Sequence, residues 1–256
     1  MKKINPKKTL GADNWTAKEM KIAAEEITNC LTNISKLSFQ DGNFPSQWKV
    51  GKVKALWKTE NKQDCINYRP ITLLSIPSKV TESIICDNID EHLNTVIHEN
   101  QWGYRKGIST NSLLLYITEL WKMNLDKKNV IGAIFIDFRK AFDSVDHTIL
   151  NYKMDASGLY GNLKKWLQSY LTNRQQFVEI NGKKSGLHIV PYGVPQGSLL
   201  GPRLFSIYVS DFPESITNGE LHLYADDTTA FVIGKNEDEA VSLLNILFSE
   251  ISRWCT

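Results

Sequence analysis

The chain has 256 residues, a formal net charge of +2, 42% hydrophobic and 23% charged residues, and seven tryptophans. That is a globular composition, long enough for one large domain or two smaller ones. No apolar run approaches the ~20 residues needed to span a bilayer, which argues against a membrane protein. The opening "MKKINPKKTL" leads into no apolar segment, so no secretory signal is expected. Cys30, Cys65, Cys86 and Cys255 lie far apart without a C-x-x-C pair, which argues against a zinc site or disulfide framework and makes a reducing compartment the default.

In chain order, residues 17–38 carry Met20, Ile22, Ala23, Ile27, Leu31 and Ile34 near helical spacing, which predicts one amphipathic helix. Gly42 and Pro45 break it. "KVGKVKALWK" alternates Lys with apolar residues, as a strand with one basic face would. A second helix is predicted from Lys79, with a stripe running from Val80 to Ile97, and a third over 112–123 after the basic turn "GYRKGIST". "VIGAIFIDF", 130–138, is a continuous apolar run of the kind a buried central strand shows, ending at Asp137. Asp146 is placed to cap a helix that follows it, and Asp143 and His147 read as parts of the same helix start. Asn181-Gly182 signals a hairpin turn. "PRLFSIYVSDF" and "NEDEAVSLLNILFSEISRWC" are two more helices, the last with Ala240, Leu243, Leu247, Ile251 and Trp254 inward. Strands and helices mix without regular βαβ alternation, which predicts an α+β fold.

Charge is uneven along the chain. Lys49, Lys52, Lys54, Lys58, Lys62 and Arg69 cluster early, Arg105 and Lys106 follow, and acids gather at 137–146 and 226–239. A basic front half suits phosphate binding, although an ordinary protein with uneven surfaces has the same pattern.

The acids pose the sharper question. In "LHLYADDTTAFVI", 221–233, Asp226 and Asp227 are adjacent inside an apolar segment. Unit charges ~4 Å apart repel by roughly 4 kcal/mol at an effective dielectric of ~20. A solvated hairpin turn is one reading. Asp137 alone also reads as a strand-end cap or a surface ion pair. If the two strands are neighbours, however, three carboxylates share one sheet edge. That arrangement is costly without cations, and its oxygen donors favour Mg²⁺ or Mn²⁺ over zinc. Two such ions ~3.5–4 Å apart would serve in-line phosphoryl displacement.

"NYRPITLL", "GYRKGIST", "FIDFRKAFDSVDH", "YGVPQGSLLGPRLF" and "LYADDT" occur in that order, and together they resemble the reverse transcriptase domain of LINE-type (non-LTR) retrotransposons, particularly jockey-like elements. The resemblance runs from about residue 8 to 256. It implies an RNA-directed DNA polymerase that adds dNMP to a primer 3′-OH on an RNA template, with two Mg²⁺ ions for which Mn²⁺ can substitute. A right-hand fold is implied, with fingers at about 1–131 and 147–186, and a palm at about 132–146 and 187–256 whose antiparallel sheet is flanked by helices.

Residue by residue, Asp137, Asp226 and Asp227 match the catalytic aspartates, and the carbonyl of Phe138 would help hold the nucleotide's metal. Phe142 matches the sugar-selecting position, Gln196 and Gly197 the nucleotide-binding P-Q-G loop. Lys58 and Arg69 resemble triphosphate contacts; Lys54 or Lys62 are substitutes for Lys58. Arg105 and Lys106 resemble template-backbone contacts. "GADN" stands where the family usually has G-P-D-G, and Tyr192 where it often has Cys. The last palm strand with its lysine, the thumb and the endonuclease domain find no match, which predicts a truncated hand. An inactive remnant that binds nucleic acid, or serves as an interaction protein, is the alternative reading. The resemblance also implies action in the nucleus, though no basic localisation run is present.

Overall fold

The computed structural model describes residues 10–58 and 61–256. The first nine residues, within the stretch assigned to fingers, and residues 59 and 60 after Lys58 lie outside the described residues. Helix α1 (Ala17–Ile22) opens with a capping box, in which Thr16 and Glu19 satisfy each other's backbone N–H groups. The expected single helix is two, because the turn at Ala23 ends α1 and α2 (Ala24–Asp41) starts afresh. Gly42, at φ 66°, closes α2 in the left-handed conformation that favours glycine.

Strands β1 (Val50–Trp57) and β2 (Tyr68–Leu73) follow, then α3 (Ile76–Val96), which begins three residues before the predicted Lys79 with Pro77 tolerated in its first turn. Next come α4 (Thr110–Asp126), β3 (Val130–Asp137), α5 (His147–Ala156) and α6 (Gly161–Leu171). Asp146 caps α5 as expected, its Oδ1 accepting from the N–H of Thr148 and Ile149. Strands β4 (Arg174–Ile180), β5 (Lys183–Lys184) and β6 (His188–Val190) include the Asn181-Gly182 turn, both residues at positive φ. The chain ends with α7 (Leu200–Tyr208), β7 (Glu220–Tyr224), β8 (Asp227–Gly234) and α8 (Glu237–Cys255). No described helix is long and apolar enough to cross a membrane.

The chain forms two compact units. One comprises residues up to Glu91 together with Phe142–Gly201. Its mixed sheet has the order β2-β1-β4-β5, with β6 also on β4. β1 and β4 run parallel, a pairing between distant segments that local patterning does not reveal. Trp166, Leu167, Tyr170 and Leu171 of α6 are fully buried, and Phe44 meets Trp166 and Tyr170 edge-on.

The other unit comprises His92–Ala141 and Pro202–Thr256. Its antiparallel sheet has the order β3-β8-β7. Ile131 and Ala133 pack towards Leu113 and Ile117 of α4, while Gly132 and Gly234 lie against Leu244 and Ala240 of α8. Helices therefore cover both faces. This corrects the expectation for β3, which pairs only with β8 among the described residues and is an edge strand. Its run is apolar because both faces are covered, not because it is central. Phe135, near its end, is 74% exposed.

Candidate active site

In the second unit, β3 and β8 pair so that Asp137 lies directly opposite Asp227. Side chains of directly opposed residues share a face, with Cβ atoms ~4.5–5.5 Å apart. Tyr224 pairs with Asp227, so Ala225 and Asp226 make a two-residue hairpin turn. Ala225 takes φ 62°, as the first central residue of a type II′ turn must, a place where glycine is preferred. For an L-residue that conformation costs ~1–3 kcal/mol. The turn therefore presents Asp226 beside a facing carboxylate pair, with Asp137 and Asp227 exposed and Asp226 half-buried.

Three carboxylates at one sheet end offer the oxygen-donor chemistry that a hard divalent cation takes. Among the described residues no group of three His, Cys, Asp or Glu side chains is arranged so that it could hold a metal ion. Phe138, which follows Asp137, packs edge-on to Phe212 at 6.1 Å and tilts against Trp254 at 6.3 Å, anchoring the end of β3. The phenol of Tyr104 is pushed up to about 12, by burial first and then by Asp226, Tyr224 and Asp227, so it stays neutral.

Arg105 and Lys106 differ in their surroundings. Nη2 of Arg105 donates to the carbonyl of Ile97 at 2.6 Å, and its Nη1 to that of Glu99 at 3.3 Å. The Arg105 guanidinium thus ties down the chain after α3, whereas Lys106 is exposed.

The first unit holds the remaining candidates. Arg69 pairs with Leu56 across β1 and β2, and Ile71 with Lys54, so Lys54 and Arg69 share a sheet face, and Lys58 continues its alternation. Lys52 on that face is bound to Glu179 at 2.7 Å. Lys62 lies 4.6 Å from the centroid of the Trp57 ring, on the opposite face.

The P-Q-G loop is laced to β2 and to the turn that carries Phe142. The Gln196 carbonyl accepts the Thr72 N–H at 2.8 Å. Its side-chain Nε2 donates to Oδ1 of Asp143 at 3.0 Å. Gly197 has φ 110°, and a Cβ there would lie 2.7 Å from the Thr72 carbonyl oxygen, so only glycine fits. Val194 N–H donates to the Phe142 carbonyl at 2.8 Å, and His147 Nε2 bonds the Gly193 carbonyl at 2.8 Å. His147 opens α5 as expected and also bonds this loop, while Asp143 lies in the preceding turn and accepts from Gln196.

Beneath the loop, Glu82 of α3 is fully buried. It accepts from the Leu199 N–H at 2.8 Å and from the Ser78 hydroxyl at 2.8 Å. Burial pushes its carboxyl up, against those donors and the charge of Arg174. The sequence did not mark Glu82 or the loop role of Asp143. For Glu82 the available signal was a carboxylate inside the otherwise apolar stripe of α3.

The reverse transcriptase (RNA-dependent DNA polymerase) family matches residues 60–256. A probable RNA-directed DNA polymerase from transposon BS of Drosophila melanogaster is 30% identical over 268 aligned residues, covering 100% of this chain and 29% of that protein. The probable RNA-directed DNA polymerase from transposon X-element of the same species is 32% identical, covering 89% of the chain and 25% of the relative. The RNA-directed DNA polymerase from its mobile element jockey is 28% identical, covering 98% and 28%. The chain therefore spans less than a third of the length of these curated relatives. With the family matched over most of its length, the chain belongs to the reverse transcriptase (RNA-dependent DNA polymerase) family, as a jockey-like domain of the non-LTR retrotransposon kind.

Proposed function

We propose that the chain is an RNA-directed DNA polymerase domain that extends a DNA primer on an RNA template with deoxynucleoside triphosphates, working as fingers and palm of a right hand. The observation that carries this reading is the facing of Asp137 and Asp227 with Asp226 in the adjoining turn. Asp137, Asp226, Asp227 and the Phe138 carbonyl would hold two Mg²⁺ ions, or Mn²⁺ in their place. Bound there, the ions would lower the pKa of the primer 3′-OH and neutralise charge on the departing pyrophosphate.

The chain's own residues do the rest. Lys58, with Lys54 beside it, and the planar fork of Arg69 suit triphosphate oxygens. The pairing of Lys62 with Trp57 makes it the weaker substitute. Gln196 and Gly197 bring backbone and one amide against the nucleotide, and the Phe142 ring excludes a 2′-OH. Lys106 serves the template backbone; Arg105 contributes chiefly by fixing the segment that presents Lys106.

Primer extension on an RNA template with Mg²⁺ tests the reading. Asp226→Ala removes one metal ligand; with several kcal/mol of charge stabilisation at stake, a loss of at least ~10²-fold is expected. Extension unchanged in that variant sinks the site assignment. No extension by the wild type, even with Mn²⁺, favours a nucleic-acid-binding role instead.

A further inference from the structure

The β7–β8 turn holds an alanine at φ 62°, and such a conformation persists only where its surroundings over-determine it. The segment 100–104 supplies those surroundings. It runs along β7: the Leu223 N–H donates to the Asn100 carbonyl at 2.9 Å, and the Trp102 N–H to the Leu223 carbonyl at 2.8 Å. Between them Gln101 is fully buried. Its Oε1 accepts two backbone N–H groups, from Gly103 at 3.0 Å and from Ala225 at 3.3 Å. A Cβ on Gly103 would lie 2.3 Å from the Ala225 nitrogen, so only glycine lets the two segments approach.

We propose that Gln101 is a positioning residue for the carboxylate-bearing turn: its side-chain oxygen, held by Gly103, fixes the Ala225 N–H and so the direction in which Asp226 leaves the hairpin. The other end of the amide shows what the side chain is for. Nε2 of Gln101 is buried without a hydrogen-bond partner. An apolar side chain of similar length would fill the space without burying that unpaired group, so packing alone does not explain a glutamine here. The acceptor oxygen does.

The consequence for catalysis rests on the polymerase reading; the conformational consequence does not. The test compares Gln101→Met, which keeps length and loses the acceptor, with Gln101→Glu, which keeps an acceptor oxygen, in the full chain. Ala225 amide exchange, thermal melting and primer-extension kinetics are measured for each. In Gln101→Met the Ala225 amide should exchange roughly tenfold faster, the effect of one lost hydrogen bond at the turn. kcat should fall by a similar factor with the KM for dNTP unchanged, the pattern of a group that acts only on the reacting centre. Gln101→Glu should restore slow exchange.

Wild-type exchange at Ala225 in Gln101→Met would overturn the proposal, as would a kcat loss matched by lost folded protein in the melts. Should the wild type show no Asp226-dependent extension, the polymerase reading falls, and the exchange measurement still decides the role of Gln101.

Discussion

Phe142 is half-buried, in a short helical turn whose carbonyl is tied to Val194 beside the P-Q-G loop. Its backbone is therefore fixed, and shortening the ring changes the space above it more than the loop around it. In Phe142→Val, incorporation of ribonucleotides relative to deoxynucleotides should rise by about tenfold or more, a gain typical when a pocket is enlarged past a steric limit. Competing rNTP and dNTP extension assays read this directly, and an unchanged ratio would remove Phe142 from the sugar site. The candidate carboxylates Asp137 and Asp226 were legible in the sequence because polar groups ending apolar runs stand out. Asp143 was not: a carboxylate near a helix start looks like a cap until the loop 53 residues away in sequence is seen to bond it.

Elements were legible where the pattern is local. The Asn181-Gly182 turn and the Asp146 cap arise from contacts between near neighbours, so the sequence alone reveals them. β3 was misplaced as central because an apolar run reports covered faces, not strand order. The split at Ala23 was also missed, since apolar spacing continues across it. The P-Q-G loop is an element held from outside, by β2 on one side and Asp143 on the other. Gly197→Ala puts a side chain at φ 110° and against the Thr72 carbonyl, and should destabilise the chain by ~1–3 kcal/mol. Denaturant midpoints measure that cost. The KM for dNTP should rise as well, and a variant with both quantities unchanged would show that the loop does not need its close approach to β2.

For the whole molecule, folding assembles each unit from separated stretches of chain. Burying Glu82 beneath the P-Q-G loop has a measurable cost. Its carboxyl keeps its proton to higher pH in the folded chain than its ordinary 4.5. Between 4.5 and the raised folded value the native state binds more protons than the unfolded one, so stability falls as pH rises through that window. Glu82→Gln stays neutral throughout and should flatten the slope while retaining one acceptor oxygen for Leu199. Urea unfolding from pH 4.5 upward, in both proteins, checks this. Equal slopes would assign the pH dependence to other groups.

By itself the sequence determined the family and the α+β class and marked the candidate site residues, because motif residues and local periodicity are written along the chain. Only the tertiary structure decided that β3 is an edge strand and that Asp137 faces Asp227. It also decided that Lys52 and Lys62 are engaged elsewhere, and that Gln101 and Glu82 support the turn and the loop. The physical reason is range. A helix stripe or a two-residue turn is set by neighbours a few positions apart, whereas the pairing of β3 with β8, the Lys52–Glu179 ion pair and the Gln101–Ala225 hydrogen bond join residues far apart in the chain.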